Sequence, residues 1–254
     1  MIDIHSHILP SIDDGAKTVE DSLAMARAAV ADGIHTIIAT PHHNNGRYSN
    51  EAQFIKEQTA ELNEHINNAN IPLTILPGQE PRIYGEMVED LQHHVALPLN
   101  DTQYVFVEFP SDHVPRYSGQ LLFDIQVAGY QPIIVHPERN QDLMKHPDRL
   151  HKYVERGALT QVTAASVCGK FGKKIKKFTN QLIEANLTHF VANDAHNTTT
   201  RGFCLQQAYG EIDAEFGQAK TFMLQENAEL LTQGEHVIID PPSPVKKQKI
   251  LGLF

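Results

Sequence analysis

The chain opens with MIDIHSHILPSIDDG (1–15), a short alternating run that ends in two histidines one residue apart. Alternate residues of a strand project to one face, so a strand over 2–5 carries His5 and His7 toward a common point. The next stretch, TVEDSLAMARAAVADG (18–33), has helical spacing. Thr18 and Asp21 resemble a capping box, Leu23, Ala26 and Val30 share a face, and Gly33 suits the C′ position. A strand that ends in histidines and leads into a helix is the unit whose repetition decides the fold.

That unit recurs along the chain. Further strands are predicted at 35–40 (HTIIAT), 73–76 (LTIL), 104–109 (YVFVEF), 131–136 (QPIIVH), 159–163 (LTQVT) and 188–193 (THFVAN). They alternate with amphipathic segments at 50–69, 119–128, 146–157, 175–185 and 203–216. Strand–helix alternation repeated seven times without a linker predicts one α/β domain with a mainly parallel sheet. An open doubly wound sheet would alternate in the same way. No Gly-x-Gly-x-x-Gly follows the first strand, however, and no phosphate loop ends in Gly-Lys-Ser/Thr. The 254 residues suit a single α/β barrel. The domain is expected over 1–236, and 237–254, which includes DPPSPVKKQKILGLF, is expected to be an extended, basic, mobile tail.

Composition narrows the chemistry. A formal net charge of −10 argues against general nucleic-acid binding. No run approaches the ~20 apolar residues of a membrane span, and the N-terminus lacks the basic and apolar regions of a secretory signal. The two cysteines, Cys168 and Cys204, fit a reducing cytosol. Neither opens a thiolate phosphate loop, because Lys174 and Gly210 stand where an arginine is required. Histidine is the outlier, with 15 copies. Most are expected to be solvated: His65, His93, His94, His113, His146, His151, His189 and His236 lie in polar or helical surroundings.

The remaining histidines follow the strands. The first strand is followed by His5, His7 and Asp14, the second by His42, the third by Glu80 and the fourth by Glu108. The fifth ends in VHPER, with His136 and Arg139, and the seventh in NDAHNTTTR, with Asp194, His196 and Arg201. Only the sixth, followed by TAAS, lacks an ionisable group. In a parallel barrel these C-terminal strand ends surround one mouth. Nine imidazoles and carboxylates cannot share a cleft without large pKa shifts or neutralising cations. Five imidazoles and four carboxylates without a thiolate suit Mn, Fe or Zn. The set exceeds what one ion accepts, so two or three ions sharing a carboxylate are expected, the usual equipment for phosphoester hydrolysis. Taken singly, a His-x-His pair or a charged strand end is weak, and Arg139 and Arg201 could be ordinary surface residues. Beside a metal cluster both become candidate phosphate clamps, since a guanidinium offers a bidentate fork to phosphate oxygens.

The series HSH, DDG, TPHH, GQE, VEF, HPER and DAH resembles the polymerase-and-histidinol-phosphatase (PHP) superfamily of metal-dependent hydrolases. More narrowly, MIDIHSHILPSIDDG, ATPHHNNG, HPER and QVTAASVCGKFG resemble the bacterial manganese-dependent protein-tyrosine phosphatases of capsule and exopolysaccharide synthesis. The match runs from residue 2 to about residue 232. The resemblance implies a distorted (β/α)7 TIM-like barrel with a trinuclear centre. One ion would be held by His5, His7, Glu80 and Asp194. A second would use Glu80 as a bridge with Glu108 and His136, and a third Asp14, His42 and His196. Arg139 and Arg201 match the family's phosphate-binding arginines. Metal-activated hydroxide would attack phosphorus in line while the ions and both arginines stabilise equatorial charge. Pro81 after Glu80 and Asn140 after HPER depart from the family pattern.

The implied partner is the phosphotyrosine tail of a cognate bacterial tyrosine kinase, met in the cytoplasm by a protein that is not membrane-embedded and admits a homo-oligomer. Lys173, Lys174 and Lys177, with Lys170 and Lys176, are a candidate docking site for an anionic peptide or an ordinary solvated helix face. Competing functions are a small-molecule phosphatase such as histidinol phosphatase, a nucleic-acid phosphodiesterase, and a non-catalytic metal-loaded regulator. The complete ligand set disfavours the last.

Overall fold

A computed structural model describes residues 1–246. The seven expected strands are all present as parallel staves: β1 (Ile2–Ser6), β2 (Thr36–Ala39) with its continuation β3 (His42–His43), β4 (Thr74–Pro77) with its continuation β5 (Glu80–Pro81), β6 (Tyr104–Val107), β7 (Gln131–Val135), β8 (Leu159–Thr163) and β9 (Phe190–Ala192). The two short continuations are absent from the sequence-based expectation, because two residues carry no periodicity. Parallel bridges complete the ring. Arg82 pairs with Glu108 between the β5 and β6 staves, and Ser6 pairs with Ala195 between β1 and the end of β9. The His7 N–H donates to the Ala195 carbonyl at 2.8 Å and the Asp194 N–H to the His5 carbonyl at 2.9 Å. The result is a distorted seven-stave barrel.

Two apolar layers follow from the period of the strands. Ile4, Ile38, Phe106, Ile133, Leu159, Phe190 and Ala192 form a buried cluster to which Leu76 adds the β4 stave, so it is the barrel interior. Ile37, Ile75, Val105, Ile134, Val162 and Val191 belong instead to the cluster shared with the surrounding helices. Between Asp3↔Ile37 and Ser6↔Ala39, β1 advances one residue more than β2. This β-bulge lets Ile4 stay in the interior while His5 turns toward the same side, its ring 4.9 Å from that of Phe106.

The helices comprise α1 (Val19–Ala31), α2 (Ala52–Asn68), α3 (Met87–Gln92), α4 (Ser118–Val127), α5 (Gln141–Lys145), α6 (Pro147–Glu155), α7 (Ala164–Val167), α8 (Lys173–Glu184), α9 (Leu205–Phe216) and α10 (Gln218–Gln233). The Thr18–Asp21 capping box forms as expected, Thr18 accepting from the Asp21 N–H at 3.2 Å. Helix α10 was not expected, and it packs across the N-terminal end of the barrel. Its Ala228 and Leu231 join the interior cluster, so its sequence answers to the barrel floor more than to a regular stripe.

His189 is a correction: it is buried rather than solvated. Its Nδ1 accepts from the Thr160 N–H at 3.1 Å, and Asn227 donates to its carbonyl at 3.1 Å. Burial and the Lys220 charge push its pKa down to about 4. The other histidines of that group are half-buried (His65, His151) or exposed. Through residue 246 the segment after α10 forms no helix or strand, and it is tied down: Ser243 N–H donates to the Ala185 carbonyl at 2.9 Å and Ile238 N–H to Asn227 Oδ1 at 2.7 Å. The rest of the expected tail lies outside the described residues.

Candidate metal centre

All nine expected ligands meet at the C-terminal mouth. Glu80 is their hub. Its Oε1 lies 2.9 Å from His136 Nε2 and 3.4 Å from His5 Nε2, while its Oε2 lies 2.9 Å from His42 Nδ1 and 3.3 Å from His7 Nε2. Each oxygen of one carboxylate thus faces two imidazoles. Asp194 Oδ1 adds a second carboxylate 3.5 Å from His5 and 3.3 Å from His7. Asp14 Oδ1 lies 3.4 Å from His42 Nε2 and 3.3 Å from His196 Nε2. Among the described residues, donor atoms close enough to share an ion form three groups: His5, His7 and Glu80; His42, Glu80 and Glu108; and His7, Asp14, His42 and His196. His42 departs from the expected grouping, because its Nδ1 faces Glu80 and its Nε2 faces Asp14. It stands between two groups.

Backbone geometry explains why the groups converge. The β3–β5 ladder pairs His42 directly with Glu80. Pro81 restricts Glu80 to extended backbone, which this ladder requires, so that departure from the family pattern suits the site. Asn140 caps α5, accepting from the Asp142 and Leu143 N–H groups at 3.0 and 2.9 Å. His136 and Asp194 turn sharply off their strands with φ of 35° and 53°, left-handed conformations that cost on the order of 1–3 kcal/mol each and collect at functional sites. Gly15 packs directly on the first strand; a Cβ there would sit 2.0 Å from the His7 carbonyl oxygen.

The second layer of contacts decides which imidazole nitrogen faces the cleft. His7 Nδ1 donates to Asp13 Oδ2 at 2.7 Å, His5 Nδ1 to Gln161 Oε1 at 2.9 Å and His196 Nδ1 to the Asp194 carbonyl at 3.0 Å. Gln161 is oriented by its own donation to the Val162 carbonyl at 2.8 Å. Each ring therefore keeps its Nδ1 proton outward and turns Nε2 to the cleft, as metal-binding histidines do. Asp13 and Gln161 were missed in the sequence. Asp13 was masked by its neighbour Asp14, and Gln161 is an amide on the one strand that lacked an ionisable end. Arg82 was missed as well: it grips Glu108 through two hydrogen bonds of 3.1 Å.

Among the described residues, His5 Nε2, His7 Nε2 and His196 Nε2 are buried with no hydrogen-bond partner. Burial pushes Glu80 up, but the imidazoles of His5 and His42 hold it well below the usual carboxylate range. Burial and the Glu80 charge push Glu108 up to about 6. Burial and the Arg139 guanidinium push His136 down to about 4, and burial and His7 do the same to His196. Orphaned lone pairs, paired carboxylates and a lack of thiolates fit divalent cations.

The arginines line the rim. Arg139 Nη1 and Arg201 Nη2 both donate to Asp194 Oδ2, at 2.5 and 2.7 Å. Their side chains are 27% and 31% exposed, against 0% for His5 and His7, so the arginine side chains reach the surface while the imidazoles lie beneath. The lysines lie on α8 and the loop before it. Lys173 and Lys174 are exposed, and Lys176 pairs with Glu211.

Residues 1–233 match the model of the family described as capsular polysaccharide synthesis, CpsB/CapC. The tyrosine-protein phosphatase YwqE of Bacillus subtilis is 53% identical over 254 residues, covering 100% of both chains. The tyrosine-protein phosphatase CpsB of Streptococcus pneumoniae is 32% identical over 225 residues, 87% of this chain and 93% of that one. A crystal structure from work on YwqE and CpsB as metal-dependent tyrosine phosphatases superposes with a TM-score of 0.95 at 53% identity, covering 97% of this chain and 100% of that one. The phosphotriesterase homology protein of Escherichia coli, at 12% identity, shares the fold with a TM-score of 0.57 over 91% of this chain and 97% of its own. Family model and full-length relatives agree: this chain is a member of the CpsB/CapC family of capsular polysaccharide synthesis.

Proposed function

We propose that this chain is a metal-dependent tyrosine-protein phosphatase acting in capsular polysaccharide synthesis. The observation that carries the proposal is the shared Glu80 carboxylate, whose two oxygens face four imidazoles, with two arginines at the rim above it. His5, His7, Glu80 and Asp194 would hold one ion, and Glu80, Glu108 and His136 a second. Asp14, His42 and His196 would hold a third, and His42 is placed to serve either of the last two. The imidazole–carboxylate donor set favours manganese, with iron or zinc as alternatives at single sites. Such ions supply Lewis acidity toward phosphoryl oxygens and lower the pKa of water.

The chain's own groups do the rest. Asp13, Gln161 and the Asp194 carbonyl keep the Nδ1 protons of three imidazoles away from the cleft. Arg139 and Arg201 turn their donors from Asp194 toward the equatorial oxygens of an entering phosphoryl group, where charge grows in the transition state. A tyrosinate leaving group, with a pKa of about 10, needs less proton assistance than an alkoxide.

The substrate we assign is a phosphotyrosine protein, specifically the tail of a cognate bacterial tyrosine kinase. Lys173, Lys174 and Lys177 would attract such an acidic segment from solution. We place the reaction in the cytoplasm, where the two free thiols stay reduced. Initial rates with manganese on phosphotyrosyl peptide, phosphoseryl peptide and histidinol phosphate test the assignment. The phosphotyrosyl peptide is expected to turn over fastest by kcat/KM. A preference for histidinol phosphate would replace it with the small-molecule reading, and no turnover of any substrate with metal bound would leave a regulator.

A further inference from the structure

Two aromatic side chains stand across the mouth from each other, and the ligand scheme uses neither. Tyr48 lies on the loop that follows β3. Its ring is stacked on the His42 imidazole, 6.2 Å between centroids and 8° between planes. That loop is held in shape by Asn45 Oδ1, which accepts from the Arg47 and Tyr48 N–H groups at 3.0 and 2.8 Å. Asn50 fastens it to the site, donating to the His42 carbonyl at 2.9 Å and the Ile12 carbonyl at 3.1 Å. Tyr48 is therefore positioned by the same backbone that positions a candidate ligand.

Phe171 lies in the loop between α7 and α8. The Arg139 guanidinium sits over its ring, 5.5 Å from the centroid, so Phe171 braces a phosphate clamp. The two rings come from the second and the sixth of the seven staves, three or four steps apart around the barrel either way. Both are half-buried. Each is one side chain removed from where a phosphoryl group would sit, through His42 on one side and Arg139 on the other.

Resting on the phosphatase reading above, we infer that Tyr48 and Phe171 are the walls of an aryl subsite that receives the substrate's phenol ring. In phosphotyrosine one bridging oxygen separates phosphorus from the ring, so a phosphoryl group held by Arg139 and Arg201 places that ring at the level of the two aromatics. A phosphoseryl ester places a single methylene there, which is too thin to meet both walls. Aromatic pairs gain by offset-stacked or edge-to-face contact beyond the area they bury, by a factor of about three to ten in affinity for each pair. Arg47, exposed and 5.0 Å from the Tyr48 ring, adds positive charge to the same rim.

The test separates ring recognition from the chemical reactivity of aryl esters. Phenylphosphonate and methylphosphonate carry the same anionic head and no leaving group. Their dissociation constants are measured by calorimetry on the manganese-loaded full chain, without reference to turnover. The wild type and Tyr48→Phe are expected to prefer the phenyl compound. Tyr48→Leu and Phe171→Leu are each expected to cut that preference by about three- to ten-fold. Taking the ratio of the two ligands cancels any loosening of Arg139 that weakens both alike. Equal binding of both phosphonates by the wild type, or an unreduced preference in both leucine variants, overturns the subsite. The phosphatase reading fails separately, by absence of turnover on phosphotyrosyl peptide.

Discussion

Replacing Asp13 by Asn is the most informative single change. Asp13 Oδ2 accepts from His7 Nδ1 at 2.7 Å and from the His42 N–H at 3.1 Å, while Oδ1 accepts from the Gly15 N–H at 2.8 Å. An amide of the same shape has one acceptor for these donors. If its oxygen faces His7, its NH2 abuts the Gly15 N–H. If it is reversed, the NH2 forces the other tautomer on His7 and puts a proton on the Nε2 that should face the metal. Either way one buried donor is left unmade or one ligand is blocked, a cost of about 1–3 kcal/mol. At about 1.4 kcal/mol per tenfold, manganese affinity should fall by roughly 5- to 150-fold, in line with the roughly 10- to 100-fold usual when the hydrogen-bond partner of a metal-binding histidine is changed. The assay is competition for manganese between metal-free protein and a chelating fluorophore, with urea unfolding to confirm the fold. An affinity within about twofold of wild type would refute the idea that Asp13 sets the His7 tautomer.

Arg139→Ala should lower kcat by about 100- to 1000-fold, the usual cost of one transition-state donor, while metal content by elemental analysis stays the same; wild-type turnover would remove the clamp role. Chelation should abolish activity, and restoring manganese at about 100 times its dissociation constant should add about 2.7 kcal/mol, or roughly 5–10 °C in thermal midpoint; a midpoint indifferent to metal would count against the site. His189 supplies a pH signature. Its folded-state pKa of about 4 lies below its ordinary 6.5, so as pH falls the unfolded chain takes the proton first. Its contribution is complete above about pH 6.5 and is lost toward pH 4, with about 2 kcal/mol gone by pH 5. His189→Gln should flatten urea stability between pH 7.5 and 5 by that amount, and an unaltered slope would contradict the buried neutral imidazole. Reversing charge with Lys173→Glu and Lys174→Glu should raise KM for an acidic phosphotyrosyl peptide several-fold at low salt and leave KM for a small aryl phosphate unaltered; equal KM for the peptide would assign those lysines to an ordinary solvated face.

Much of this protein was legible one residue at a time. Period-two apolar runs and helical stripes are local properties, so the seven staves and the capped first helix could be located from spacing alone. The nine candidate ligands were legible for a related reason: each closes a strand or lies in the loop that follows one, and parallel topology sends every such end to one mouth. What only the tertiary structure decided depends on contacts between distant segments. The bulge in β1 keeps Ile4 in the core while His5 faces the cleft, and it exists only relative to β2. Gln161 is an unremarkable amide until β8 is placed beside His5, more than a hundred residues earlier in the chain. Arg82 acquires its role by lying next to Glu108, and His189 is neutral because Asn227 and α10 close over it. Helix α10 itself is specified by the barrel floor it covers. Short-range patterning determined which elements form and which groups they carry; long-range packing decided which nitrogen points inward, which charges are shared, and which rings stand at the rim.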